Sequence, residues 1–256
     1  MNASFSQRKF FLTLAGLFVL VWTLLALHPT YRADWALENC LVAPFVLFLA
    51  FSARRLPLSR ISCVCIFVFL CLHEVGAHYT YAKVPYESLF RALTGRSLDA
   101  LLGWQRNDFD RIVHFSFGLL MAYPIRELVI RVAELRGFWG YYIPLDVVMA
   151  CSMLFELLEY GTVLLFGGDL GIAYLGAQGD PWDAQKDMAM ATFGAVIAMG
   201  ITATINLSLQ RDFAREWVES LRVKQLEPLG EEAIARMLGP LDTVLNVLRH
   251  AAQGIA

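Results

Sequence analysis

The stretch Ile61–Tyr86, ISCVCIFVFLCLHEVGAHYTYAKVPY, opens with an almost unbroken apolar run to Ala77. That run approaches the ~20 residues a helix needs to cross a bilayer. His73 and Glu74 interrupt it near its end and His78 follows. A lipid-facing helix carries no such groups, so this one spans a membrane with its polar side chains turned toward protein. Five further runs have the same character: Phe10–Leu27, Leu37–Ala53, Phe109 to just before Arg126, Tyr141–Phe166 and Asp183–Leu207. The composition agrees. Of 256 residues 57% are hydrophobic and 17% charged, and the mean hydropathy is +0.53; soluble domains average about 45–50% and about 25%. The expected fold class is all-α, a six-helix polytopic membrane bundle over residues 1–209, with a polar helical tail over 210–256. A net charge of -2 gives no support for nucleic-acid binding. The five cysteines lie within apolar runs, lack CxxC spacing and read as small buried hydrophobes.

Two readings compete for the first run. Its apolar core exceeds a signal-peptide h-region of about 7–15 residues, and no A-x-A site follows, which favours an uncleaved helix. Basic residues set the orientation. Arg8 and Lys9, then Arg54, Arg55 and Arg60, then Arg126, Arg131 and Arg136, then Arg211, Arg215, Arg222 and Lys224 fall on one side of a six-span topology, which is therefore cytoplasmic together with both termini. The segment from Gly167 to Trp182 has no Lys or Arg and lies outside. The third connection, with Lys83, Arg91, Arg96 and Arg106, is a mild exception.

With that orientation, ionisable groups gather at the outer ends of four spans. The third carries His73, Glu74 and His78. The fourth begins RNDFDRIVHF, with Asp110 and His114 one turn apart. The fifth contains FELLEYG, with Glu156 and Glu159. The sixth begins GDPWDAQKDM, with Asp183 and Asp187 again at i, i+4. Charges in hydrocarbon cost at least about 2.5–3.5 kcal/mol each on insertion scales, so these groups are expected to face one another inside the bundle. Simpler roles compete. Asp180 before Pro181 reads as a helix N-cap, with Asp183 at a capping-box position. Asn107 or Asp108 can cap the fourth span. Arg111 can pair with a carboxylate or reach a lipid phosphate, and Lys186 can snorkel or neutralise Asp183 or Asp187. Glu156 and Glu159 lie too deep to cap, and their simpler role is a hydrogen-bonded structural pair.

Two segments are candidates to cover this end. LFGGDLGIAYLGAQGDPW, Leu165–Trp182, is apolar and glycine-rich, which suits a lid or re-entrant hairpin, and it contributes Gln178 and Asp180. Between Val84 and Trp104, the grouped Leu89, Phe90 and Leu93, then Leu101, Leu102 and Trp104, suit short interfacial helices.

HEVGAHYTYAKVPY, RNDFDRIVHFSFGLLMAYPIRE, FELLEYG and AYLGAQGDPWDAQKDM together resemble the YjdF-like bacterial inner-membrane proteins, over roughly Phe10–Leu207. The resemblance implies a multi-pass protein of the bacterial inner membrane and carries no activity with it. More distantly, the second half is similar to VanZ-like proteins, whose pattern falls on Asp110, Arg111 and His114, then Glu156, then Asp187 and Gly194. Glu159 stands where that family has Gln, and Ala191 where it has Asn.

Three functions are open at this stage. In the first, His73, His78, Asp110, His114 and Asp183 hold a divalent metal; mixed His and carboxylate ligation suits Zn, Mn or Fe better than Mg. Glu74, Glu156, Glu159 and Asp187 then supply acid–base chemistry on a lipid-linked or amphipathic substrate, with Arg111, Gln178, Asp180, Gln185 and Lys186 as surrounding polar groups. HEVGAH is not HExxH, because its second histidine comes one residue late. In the second, the protein binds membrane lipids or an envelope component without catalysis. The third, a proton-coupled transporter, lacks an inverted repeat or a pair of broken helices.

Overall fold

The computed structural model describes residues 3–168, 178–209 and 213–224, with single positions at 230 and 237. Most of the glycine-rich segment, 169–177, lies outside the described residues. So do the tail pieces Glu232–Leu238, apart from Met237, and Leu241–Leu248. Nine helices follow in order among the described residues: α1 (Ala3–Ala26), α2 (Arg32–Ser52), α3 (Arg60–Tyr79), α4 (Tyr86–Thr94), α5 (Leu98–Leu102), α6 (Phe109–Val132), α7 (Trp139–Phe166), α8 (Asp183–Leu209) and α9 (Phe213–Ser220). Six of them, α1, α2, α3, α6, α7 and α8, are long and apolar enough to cross a membrane. Their outer faces carry exposed Leu24, Phe51, Leu157, Leu164 and Ile205. Such a surface is a liability in water and is the natural one against lipid tails. The protein is a polytopic all-α membrane bundle.

The short helices fit the same surroundings. α4 and α5 each end at a left-handed glycine, Gly95 (φ 72°) and Gly103 (φ 71°), as αL caps require. They leave Leu89, Leu93, Leu101 and Leu102 exposed, as interfacial helices do. α9, which the sequence assigns to the tail, packs on the bundle instead. Phe213 meets the Tyr141 ring edge-on and Trp217 meets it tilted, and the Trp139 indole donates to Ser220 O at 2.9 Å. α9 belongs to the first compact unit, which ends at Ser220. All five thiols are free, but Cys63 alone is buried. Cys40 and Cys151 are exposed on spanning helices, a correction that follows from lipid being as good a home for a thiol as a protein core.

α6 and α8 form the centre. α3 and α7 pack against α6, α7 also against α8, and α1 and α2 against α3. α6 and α8 run in the same direction and come together through small residues, Gly118 and Ala122 against Ala191, Gly194, Ala195 and Ala198. Close packing of small residues is how helices associate where no hydrophobic effect separates protein from solvent. A Cβ at Gly118 would overlap Ala191 O, and one at Gly194 would overlap Phe115 O.

At one end of the bundle, Glu127 ties α6 to the start of α3, accepting from Ser59 N at 2.9 Å and Ser62 Oγ at 2.5 Å. At the other, connecting segments are tied to each other: Thr30 N to His78 O at 2.8 Å, Asn107 Nδ2 to Val84 O at 2.8 Å and Gln178 Nε2 to Asn107 O at 3.0 Å. This second end holds the acidic groups.

Gly118→Leu and Gly194→Leu are each expected to cost more than the ~1–3 kcal/mol of ordinary overpacking, because the obstacle is backbone. Gly200→Leu, whose Cβ meets nothing within 4 Å, serves as control. Thermal unfolding of purified protein in detergent checks this: the first two variants should unfold well below the wild type or fail to accumulate, and the control should not.

Candidate functional site

The close contact of α6 with α8 sets the register of the turns above it. One turn toward the acidic end from Gly118 is His114, and one further is Asp110. On α8, Asp187 and Asp183 are the corresponding positions above Ala191. Single ligand atoms of His114, Glu156 and Asp187 all lie within 4.8 Å of one another, as do those of Asp110, Asp183 and Asp187. α7 supplies Glu156, and Ser152 one turn below it, whose Oγ lies 3.2 Å from His114 Nδ1 and fixes the ring. His114 Nε2 lies 3.2 Å from Glu156 Oε1, off the line of a good hydrogen bond. Glu156 Oε1 and Asp187 Oδ1 are both buried without a hydrogen-bond partner.

Cations occupy only the rim. Arg106 reaches Asp183, Asp108 at 2.8 Å and Asp110 at 3.5 Å. Arg111 reaches Asp180 at 2.9 Å, Asp108 at 3.1 Å and Asp183 at 3.6 Å. Lys186 pairs with Asp180 at 2.5 Å, rather than with Asp183 or Asp187. Two guanidinium groups and one ammonium are thus consumed by Asp108, Asp110, Asp180 and Asp183. Among the described residues, no Lys or Arg forms an ion pair with the deeper Asp187, Glu156 or Glu159; His114 pairs with Glu156, and Arg111 reaches Asp187 only electrostatically.

These pairs also settle the capping alternatives. Asp180 accepts from Trp182 N at 3.0 Å and so opens the turn into α8. Asp183 is committed to the arginines and caps nothing. Asp108 makes no side-chain cap, and Asn107 Oδ1 accepts from Phe109 N at 3.3 Å in its place.

A cavity of about 380 Å³ opens below this rim. Its upper wall holds Asp110, His114, Glu159 and Asp187 together with Asp34, Glu38 and His73. Its lower wall is apolar, with Val42, Phe45, Leu70, Phe117, Met121 and Ile125. α3 and α6 back it. α2 and α7 flank it but do not pack along one another. Leu41 on α2 and Cys151 on α7 line the cavity and are also exposed on the bundle surface. The cavity therefore opens sideways, toward the lipid.

Not every expected residue joins. His73 lines the cavity, its Nδ1 held by Tyr81 OH at 2.6 Å and its Nε2 3.9 Å from Glu38 Oε2. His78 turns away, with Nδ1 2.7 Å from Leu25 O of α1. It lies five residues from His73, and on a helix that separation diverges. Glu74 is fully buried against α2, facing Trp35 and Asn39 without a well-formed hydrogen bond, and does not line the cavity. Gln185 is exposed on α8, and Gln178 bonds Asn107 O in the segment leading into α6 instead of entering the site. Conversely, Asp34, Glu38 and Arg106 were not among the expected site residues. Asp34 and Glu38 stand at i, i+4 where the second span begins, the same signal read on the other helices. Arg106 had no local signal, since it acts from a loop.

The clamp at Asp180 has a pH signature. The Lys186 ammonium, the Trp182 N–H and Arg111 hold its carboxyl down at about 2, below an ordinary aspartate near 3.9. A depressed carboxyl stabilises the folded state fully above its unfolded value, and the effect fades as pH falls through the folded one. Asp180→Asn should therefore lower the melting temperature by a constant amount between pH 5 and 8, and the gap from wild type should narrow below about pH 4. Melting curves of both proteins across that range provide the check.

Comparison with known proteins bears on the whole bundle. No solved structure matches. Over 196 residues the chain is 33% identical to the protein named inner membrane protein YjdF of Escherichia coli (strain K12), covering 76% of this chain and 88% of that one. Residues 10–207, from α1 to the end of α8, match the family described as predicted membrane protein (DUF2238), and the chain belongs to that family.

Proposed function

We propose that His114, Glu156 and Asp187 hold a divalent metal ion, and that the cavity delivers an amphipathic, lipid-linked substrate to it for hydrolysis. The observation that carries this is the convergence of three buried ligands, two of which have oxygen atoms without a hydrogen-bond partner. Unpaired buried carboxylates are costly, and a cation shared among them removes the cost. One imidazole and two carboxylates suit Zn, Mn or Fe. The metal would lower the pKa of a bound water. Glu159, which lines the cavity within electrostatic reach of Glu156 and Asp187, would take that water's proton. Hydrolysis would join the water oxygen to the substrate's phosphorus or carbonyl carbon as the bond to the leaving oxygen breaks, with Glu159 passing the proton on to that oxygen. Glu74, buried against α2 and outside the cavity lining, is given no part in this step. The sideways opening supports arrival of the substrate from lipid.

The relative's name supports a place in a bacterial inner membrane, and the basic residues support cytoplasmic termini with the acidic end in the periplasm. Reporter fusions at Lys224 should read cytoplasmic and those at Gly179 periplasmic; the reverse result would put the site on the wrong face for an outer-leaflet substrate.

Metal content of the purified protein tests the centre. About one equivalent of Zn, Mn or Fe is expected in wild type, with Glu156→Gln and His114→Gln retaining helicity and losing at least tenfold in metal affinity. A folded Glu156→Gln, His114→Gln double variant that keeps its full metal content would refute the assignment. A structural cluster predicts a different pattern, in which the protein binds no metal and Glu156→Gln, isosteric and uncharged, folds at least as stably as wild type.

A further inference from the structure

The opposite upper wall of the cavity has its own unsatisfied groups. Asp34 and Glu38 lie one turn apart on α2, 4% and 5% exposed, and Glu38 faces His73 of α3. Asp34 Oδ2, Glu38 Oε2 and His73 Nε2 are buried without hydrogen-bond partners, and all three residues line the cavity. Lys83 acts on Asp34 electrostatically, with its own ammonium on Tyr31, 3.0 Å from the hydroxyl. Among the described residues, the cavity lining has five carboxylates, Asp34, Glu38, Asp110, Glu159 and Asp187, and no Lys or Arg. Asp34 and Glu38 fall outside both groups of converging ligand atoms found among the described residues. This wall is too dispersed to close around a small ion, and its free atoms are mostly acceptors. Below it the lining changes at once to Val42, Phe45, Leu70, Met121 and Ile125.

We propose that Asp34 and Glu38 seat an ammonium group and that the cavity's ligand is an amine-bearing amphiphile whose chain fills the apolar part between α2 and α7. An ammonium has three N–H donors and no acceptor, which answers two separated carboxylate oxygens better than a metal ion does. His73 is oriented through Tyr81, leaving its Nε2 on the cavity side beside Glu38. Glu159, within electrostatic reach of both Glu38 and the Glu156–Asp187 pair, lies between the two walls. A lipid carrying both an ester and an amine would thus have its ester at His114, Glu156 and Asp187 and its amine at Asp34 and Glu38. The assignment rests on the cavity being the substrate chamber proposed above, but not on the metal.

The test compares dodecylamine, dodecanol and dodecyl phosphate binding to the purified full-length protein in nanodiscs at pH 7, by calorimetry. Dodecylamine should bind at least tenfold more tightly than dodecanol, and dodecyl phosphate more weakly than either in metal-stripped protein. Glu38→Gln, and Asp34→Asn with it, should erase the amine preference while leaving dodecanol binding within about twofold, which also shows that the variant is folded. Glu156→Gln should keep the amine preference, so that loss of the metal reading leaves this one standing. Equal affinity for amine and alcohol, a preference for the phosphate in stripped protein, or an amine preference that survives Glu38→Gln would overturn it.

Discussion

The close approach of α6 and α8 at Gly118 and Gly194 is the constraint on which the acidic end depends. Backbone meets backbone there, so the two helices cannot slide or rotate without collision. They run in the same direction, and the turns above the contact are held in register. His114 and Asp110 on one helix are thereby brought to Asp187 and Asp183 on the other. In water such a crossing would be one contribution among many. Between lipid tails, where apolar side chains gain little by leaving their surroundings, the fit of small residues is itself the driving force.

That register forces carboxylates together, and the surrounding residues answer by depth. At the rim, Arg106 and Arg111 share four aspartates, from a loop and from the first turn of α6. A turn lower, among the described residues, no arginine or lysine forms an ion pair with Glu156 or Asp187; His114 stands beside Glu156, and Arg111 acts on Asp187 only electrostatically. A protein that needed these carboxylates only as bolts would gain more from full pairing, since breaking one partner from a buried ion pair costs about 3–5 kcal/mol. The compensation is thus graded, with a rim held by ion pairs and, below it, carboxylate oxygens of Glu156 and Asp187 that lack a hydrogen-bond partner.

The cavity extends this asymmetry. It is acidic at the top and apolar below, and it opens between α2 and α7, the two flanking helices that do not pack on each other. An amphiphile has the same polarity gradient. The opposite end of the bundle is built differently: Glu127 spends both oxygens on Ser59, Ser62 and Arg131, leaving a capped and closed junction. One end is fastened and the other is equipped.

The amino-acid sequence by itself determined the six spans and the end at which the polar groups gather, because bilayer thickness sets span length and hydrocarbon tolerates charge only where protein shelters it. The i, i+4 spacing of Asp110 with His114 and of Asp183 with Asp187 also showed which pairs share a helix face. Tertiary structure alone decided which faces meet. His73 and His78 look equivalent in HEVGAH, yet one lines the cavity and the other binds α1, because five residues carry a side chain around the helix by more than a full turn. Glu74 carries the same side chain as Glu156 but faces α2. Asp34 and Glu38 join the site because α2 packs on α3, and Arg106 because a loop folds back over α6 and α8. No periodicity within a single helix encodes those contacts; they follow from how neighbouring helices are packed.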